Sequence, residues 1–252
     1  MPRVAFFSFT SCEGCQLAVL SCEDELPDIL RSISLVYFRE AMTERNWAFD
    51  IAFVEGSVTT PREEKKLKRV RAKAKMVIAL GACSSTGGLN CLKNRYETNL
   101  VKKAVYGKGV EKNKIFDTMP ARPIDSIIHV DFYLHGCPIS KQEFISTLKL
   151  LLIGAVPRVP NHPVCVDCKM AGNICVFEKG MTCLGPITRA GCDAICVTYG
   201  AICWGCRGSV DNPNTASHGE TLKRYGLTAE SIIQKFGLYG ACAAVKAEPA
   251  KK

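Results

Sequence analysis

The sequence predicts an α/β fold, a doubly wound parallel sheet followed by a small, irregular, cysteine-rich domain. Three observations carry this. In the first half of the 252 residues, short apolar runs alternate with helix-length amphipathic segments, the pattern of parallel strands joined by crossover helices. A proline cluster, Pro157, Pro160 and Pro163, then breaks the pattern and reads as a domain boundary. Beyond it the periodicity disappears, and eight of the 15 cysteines fall between Cys165 and Cys206. The expected division is residues 1–156, 164–210 and a C-terminal helix and tail over 211–252.

Each element follows from its residue pattern. Val4 to Phe9 is the first strand, and a helix is expected from about Gln16 to Arg31, with another over Val36 to Arg45. Asp50 to Val54 is the second strand. The basic segment Arg62 to Lys73 follows as an amphipathic helix, with Leu67, Val70 and Ala74 on one side. Met76 to Leu80 is apolar throughout, as a strand buried on both faces should be. Ile127 to Leu134 is the fourth strand, followed by a helix from Lys141 to Ile153. The polar stretch from Leu89 to Pro123 is an insertion of no assigned structure. After Gly219 one helical piece is expected, Ala229 to Phe236, before a frayed tail.

Three cysteine motifs follow predicted strands: Cys12 and Cys15 after the first, Cys83 after the third, Cys137 after the fourth. Loops at the carboxyl ends of parallel strands converge on one edge, so four thiols distant in sequence should meet there. Gly14, Gly81, Gly87, Gly88 and Gly136 let backbone approach a ligand closely and aim amides at an anionic centre. A phosphate-binding loop with buried cysteines, or a thioredoxin-like reading of Cys12 and Cys15, leaves the other strand-end cysteines unexplained.

The second half carries Cys165-x2-Cys168-x6-Cys175-x7-Cys183, then Cys192-x3-Cys196-x6-Cys203-x2-Cys206. Eight is the ligand demand of two cubane clusters. Zinc also takes four cysteines, commonly as two Cys-x2-Cys pairs a modest distance apart, whereas here such pairs stand at opposite ends with four cysteines between them. The chemistry ranks iron–sulfur above zinc and leaves zinc open. Cys22, Cys91 and Cys242 are expected to be packing residues, Cys22 on the helix that starts beside Cys15 and facing the first site. His162, just before Cys165, reads as a linker residue.

Composition excludes several classes. Hydrophobic residues make up 47% and charged residues 23%, so the chain is globular and not disordered. No apolar run approaches the roughly 20 residues of a membrane-spanning helix. The N-terminus has no zones of a secretory signal and no twin-arginine element, so a cytoplasmic location is expected. In that reducing setting the cysteines do not read as a disulfide framework. The formal charge is +9, yet three four-iron clusters of about −2 each would bring it to about +3. No nucleic-acid-binding motif is present.

These residues resemble a known family, the small subunits of nickel–iron hydrogenases and the related complex I subunit. The hydrogenase members take the ligands of the cluster nearest the active site from a Cys-x2-Cys, a Gly-x-Cys and a Gly-Cys-Pro, which Cys12, Cys15, Cys83 and Cys137 match. The Cys-Glu-Gly-Cys spacing favours a hydrogenase over complex I, whose equivalent cysteines are adjacent. Glu55-Gly56-Ser57 looks like the family's Glu-Gly-Ser, and Cys183-Leu-Gly-Pro-Ile-Thr like its step from distal to medial cluster.

The resemblance implies a flavodoxin-like sheet and three 4Fe-4S clusters. The proximal one would be held by Cys12, Cys15, Cys83 and Cys137, the distal one by Cys165, Cys168, Cys175 and Cys183, the medial one by Cys192, Cys196, Cys203 and Cys206. Periplasmic members carry a histidine in place of Cys165 and a proline near Cys196, so the departures here imply all-cysteine clusters of the cytoplasmic type. Such members are similar to the delta subunit of NAD(P)-linked sulfhydrogenases and the small subunit of methyl-viologen- or F420-type hydrogenases. The implied partners are a NiFe large subunit, which would hold the catalytic site, and an iron–sulfur or flavin subunit linked to NAD(P), F420 or heterodisulfide reductase. Glu13 stands between two ligands, in a position for proton exit, for setting local potential, or for helix capping. A relay in a non-hydrogenase, complex I-like reductase is the nearest alternative, and a non-redox zinc scaffold the alternative from another class.

Overall fold

The sheet grows outward from β1 (Arg3–Ser8), whose residues alternate between two buried faces. The computed structural model describes residues 1–107 and 114–246. After β1 come the short helices α1 (Gly14–Leu20) and α2 (Leu26–Ser32), then β2 (Ser34–Phe38), β3 (Ile51–Glu55), α3 (Pro61–Lys73) and β4 (Met76–Leu80). They are followed by α4 (Ala82–Ser85), a 3₁₀ segment (Gly88–Arg95), α5 (Thr98–Tyr106), β5 (Phe132–Leu134) and α6 (Lys141–Leu152). All strand pairs are parallel, in the order β2-β1-β3-β4-β5. This is the flavodoxin-like order, whose switch point lies between β1 and β3.

Strand alternation places Val4 and Phe6 on one face and Ala5 and Phe7 on the other. Phe6 stacks on Phe38 at 4.4 Å and on Phe53 at 4.8 Å between ring centroids, and Phe144 of α6 closes over Phe53 at 5.6 Å. Phe7 packs on the opposite face with Tyr37, Trp47 and Phe49, where Leu67 and Val70 of α3 are fully buried. Each of these two aliphatic side chains contributes roughly 1.5–3 kcal/mol by burial. A capping box starts α3: Thr60 Oγ1 accepts from the Glu63 amide at 3.2 Å, and Glu63 accepts from the Thr60 amide at 3.1 Å.

Several sequence expectations need correction. The helix expected over Gln16 to Arg31 is two helices, because Pro27 lacks an amide and would clash in a helix interior. Cys22 therefore lies in the turn after α1, packed in the same core cluster as Cys15, with its thiol donating to the Ala18 carbonyl at 3.4 Å. The helix expected over Val36 to Arg45 is instead strand β2, since Leu-Val-Tyr-Phe finds the open edge of β1. Asp50 to Val54 is thus the third strand. Regular pairing in the last strand starts late, at Phe132, because the Asp131 carboxylate accepts the Val77 amide at 2.7 Å. The insertion after Leu89 includes the 3₁₀ segment and α5, and part of it lies outside the described residues.

The second half contains α7 (Val164–Met170), α8 (Ile195–Thr198), α9 (Thr215–Arg224) and α10 (Ala229–Lys246). The last two replace the single short helix expected there. Among the described residues no helix is long and apolar enough to cross a membrane.

Candidate functional site

Four cysteines meet at the carboxyl edge of the sheet. Cys12 lies between β1 and α1, at the switch point, Cys15 in the first turn of α1, Cys83 on α4 after β4, and Cys137 after β5. The turn holding Cys12 and Cys15 is fixed by Glu55 at the end of β3, a carboxylate only 2% exposed. Its oxygens accept from the amides of Cys15 and Gln16, both at 3.0 Å, and from Gln16 Nε2 at 3.1 Å. Gly81 comes so close that a Cβ there would overlap the Cys15 sulfur, and its φ of +83° suits glycine in any case. Burial pushes the Cys83 thiol up to about 12, and the neighbouring sulfurs of Cys137 and Cys12 push it further the same way. Burial likewise raises Cys15, with Glu55, Cys137 and Cys83 adding to the effect.

Each foursome of the cysteine-rich half also gathers. Cys165 and Cys168 lie on α7, and burial raises Cys165 to about 11, reinforced by Cys183, Cys168 and Cys175. The sulfurs of Cys192, Cys196, Cys203 and Cys206 line one cavity of about 100 Å³, together with Cys137 and Tyr239. That space is several times what one water needs. Among the described residues no three Cys, His, Asp or Glu side chains close on a point as a single metal ion requires. Sulfurs arranged around a space, with amides turned towards them, fit a compact sulfur-ligated cluster. Burial raises Cys206 to about 11 and Cys203 to about 12, so loading a cationic iron–sulfide core here would displace thiol protons.

The sets touch in order. Cys137 lines the same cavity as Cys206 and the other three cysteines of its set. The Cys203 amide donates to the Cys183 sulfur at 3.3 Å, joined there by the Gly185 amide at 3.4 Å. The first set therefore shares a cavity wall with the set of Cys206, and that set reaches Cys183 through an amide–sulfur contact.

Three features escaped the sequence reading. Arg207, 1% exposed, pins the cysteine-rich half to the sheet domain. It donates to both Glu143 carboxylate oxygens at 2.8 Å, and to the carbonyls of His135 and Ala190 at 2.7 Å. Tyr239 of α10 lines the cavity that Cys137 shares with Cys192, Cys196, Cys203 and Cys206. Cys91 and Cys242 are not mere packing residues: they form a disulfide, Cα–Cα 5.5 Å, across a separation of 151 residues. Gly87, at φ +84°, lets the chain pass close against both sulfurs. No local spacing signals such a pair. Of the remaining candidates, His162 pairs with Asp167 at 2.9 Å. Glu13 occupies the N-cap position of α1 with φ +63° and makes no side-chain cap; it faces Glu40, whose carboxyl it pushes up.

Sheet order, strand-end cysteines and the cysteine-rich half define the class: a small, cysteine-bearing component of a multi-subunit oxidoreductase. The chain belongs to the family described as NADH ubiquinone oxidoreductase, 20 Kd subunit, which matches residues 12–151. It is 35% identical to sulfhydrogenase 2 subunit delta of Pyrococcus furiosus, over 92% of this chain and 97% of that one. It is 30% identical to a vhu subunit of the F420-non-reducing hydrogenase of Methanocaldococcus jannaschii, over 94% of this chain and 92% of the relative. Among solved structures, a chain of an NAD+-reducing NiFe hydrogenase in the H2-reduced state superposes with a TM-score of 0.55 at 25% identity, over 63% of this chain and 95% of that one.

Proposed function

We propose that this chain is the electron-relay subunit of a cytoplasmic nickel–iron hydrogenase, carrying three 4Fe-4S clusters. The observation behind this reading is the row of three four-cysteine sets, in which Cys137 shares a cavity with the set of Cys206 and the Cys203 amide donates to the Cys183 sulfur. Relatives named as hydrogenase subunits, matched over nearly their whole length, support the choice of hydrogen as reductant.

When bound, such clusters supply one-electron storage. Cys12, Cys15, Cys83 and Cys137 hold the proximal one; Cys192, Cys196, Cys203 and Cys206 the medial; Cys165, Cys168, Cys175 and Cys183 the distal. The chain's own part is to fix spacing, exclude water and supply amide donors to sulfur. The NiFe site belongs to a large-subunit partner that covers the strand-end loops around Cys12 and Cys137. A further iron–sulfur or flavin subunit, linked to NAD(P), F420 or heterodisulfide reductase, takes electrons on the distal side.

The test is the visible spectrum of the anaerobically purified native complex before and after hydrogen is added. Bleaching of the broad iron–sulfur absorption by hydrogen is expected. Bleaching by dithionite alone would refute the hydrogenase reading and leave a relay of the complex I kind. A colourless complex containing zinc and no labile sulfide would refute the relay.

A further inference from the structure

The Cys91–Cys242 disulfide stands outside the three four-cysteine sets, yet two consecutive glycines couple it to the first of them. Gly87, at φ +84°, comes so close that a Cβ there would overlap both disulfide sulfurs. Gly88, at φ +56°, packs on Cys83, where a Cβ would stand 3.1 Å from its sulfur and from its amide nitrogen. The bond thus holds α10 to the 3₁₀ segment and, through it, to the loop that carries Cys83. Earlier on α10, the Gln234 carbonyl accepts from Arg95 at 3.3 Å and Lys235 donates to Thr182 Oγ1 at 2.7 Å. The disulfide fastens the second half of the helix, past these two contacts.

The surroundings suit two states of the pair. Cys91 is fully buried, whereas Cys242 lines a cavity of about 230 Å³ whose wall includes the half-exposed Trp204, so a small thiol entering there meets Cys242 first. Cys242 Sγ lies 3.1 Å and Cys91 Sγ 3.7 Å from the Ala121 carbonyl oxygen, so each thiol, once free, has an acceptor at hand. Asn94 holds that acceptor in place, since its side chain donates to the Ala121 carbonyl and accepts from the Ala121 amide, both at 2.8 Å. Reduction therefore leaves no thiol without a partner. In a reducing compartment disulfides are rare, and those present are mostly transient or redox-sensing.

We propose that Cys91 and Cys242 form a reversible thiol–disulfide latch, closed by a small-molecule disulfide and opened by the corresponding thiol, which fastens α10 and the Cys83 loop when the surroundings turn oxidising. In opening, a small thiolate attacks Cys242 Sγ, the bond between the two protein sulfurs breaks, and Cys91 leaves and takes a proton. A second small thiolate attacks the first at sulfur and releases Cys242, which takes a proton in turn. Two small thiols are oxidised to one disulfide as two protein thiols form, and closing is the reverse. Two cysteines of the first set, Cys12 and Cys137, are exposed, and the closed latch steadies their neighbour Cys83. This inference takes the cytoplasmic location from the reading above and needs no cluster.

The test holds the purified native complex in anaerobic buffers of reduced and oxidised glutathione at a series of ratios. Rapid alkylation in denaturant, followed by mass spectrometry, counts free Cys91 and Cys242. Hydrogen–deuterium exchange reads the backbone of residues 82–95 and 238–246. The two cysteines are expected to become alkylated together as reduced glutathione gains, with exchange in both segments rising at least about tenfold. Strand β3 keeps its rate. The double variant Cys91→Ala, Cys242→Ala is expected to exchange like reduced wild type in every buffer; if it fails to assemble, the wild-type titration decides alone. A pair that stays linked under excess reduced glutathione, a pair alkylated in every buffer, or exchange unmoved by the state of the pair would each overturn the latch and leave the relay standing. A complex without iron or sulfide overturns the relay, while the same titration still decides the latch.

Discussion

Glu143→Ala tests the junction between the two halves. The wild-type carboxylate accepts twice from Arg207 at 2.8 Å, and that guanidinium is 1% exposed, so removing Glu143 strands a cation away from water. Breaking one side of a buried pair costs about 3–5 kcal/mol. Arg207 keeps two carbonyl acceptors, on His135 and Ala190, both at 2.7 Å, which places the expected loss at the low end, about 3 kcal/mol. At roughly 2–4 °C per kcal/mol for a chain of this size, the thermal midpoint falls by about 6–12 °C. Glu143→Gln keeps one acceptor and is expected to lie between the two.

The assay is a thermal melt of the purified, cluster-loaded protein at constant salt, followed by circular dichroism. The order wild type, Glu143→Gln, Glu143→Ala in falling midpoint is the expected result. An alanine variant within about 2 °C of wild type would refute the reasoning, since it would mean the two carbonyls alone satisfy the buried guanidinium. An alanine variant more stable than the glutamine one would also refute it, because packing and not charge would then dominate.

Gly81→Ala places a methyl on the Cys15 sulfur at a φ of +83°, so the purified protein should lose about one third of its iron and sulfide, by chemical analysis, while the other two sets keep theirs. Cys242→Ser opens a loop of separation 151; under oxidising conditions it should cost about 4–5 kcal/mol in a denaturant titration, and added reductant should erase the difference from wild type. Asp50 is held below the usual carboxylate range by hydrogen bonds from the Arg3 side chain and amide and from Lys75. A depressed folded-state value stabilises above the unfolded one and is lost as pH falls through the folded one. The stability gap between wild type and Asp50→Asn, about 1 kcal/mol after allowing for the exposed cations, should therefore hold from pH 7 to about 5 and shrink below about pH 4.

The sheet was legible because its strands are short and apolar and its loops punctuated by glycine. Met76 to Leu80 and the Leu67, Val70, Ala74 stripe of α3 emerge as the pattern predicts. The edge strand was not legible, because Arg-Glu-Ala-Met after Phe38 mimics a helix and only the open edge of β1 decides the matter. The break at Pro27 was present in the sequence and carried too little weight in a window dominated by helix formers. In the site, the twelve cysteines proposed as ligands stand out in the sequence by spacing and position. Arg207, Tyr239 and the Cys91–Cys242 pair did not, since each meets its neighbours across a long stretch of chain and none lies in a periodic or motif context.

That division has a physical cause. The cysteine-rich half has a thin apolar centre, in which Val164, Val176, Ala194 and Val197 pack with the ligand-type residues Cys183 and Cys203. So few small side chains bury too little area to order the segment by the hydrophobic effect alone. On the proposed reading its cysteines serve as both core and ligands, and the free energy of loading the clusters is part of its folding energy. What remains for ordinary side chains is to seat this half on the sheet domain. Arg207 does so with a buried ion pair, and α10, which packs Ile232 with Leu184 and Ile187 of the cysteine-rich half, is tied to the sheet domain by the Cys91–Cys242 disulfide and by the Arg95 bond to Gln234. Cysteines bound by metal chemistry keep a rigid spacing that sequence displays, whereas residues that only seat one half on the other need partners and no spacing. The contacts linking the three sets arise at the meeting of these two kinds of constraint, which is why they become visible only in the folded chain.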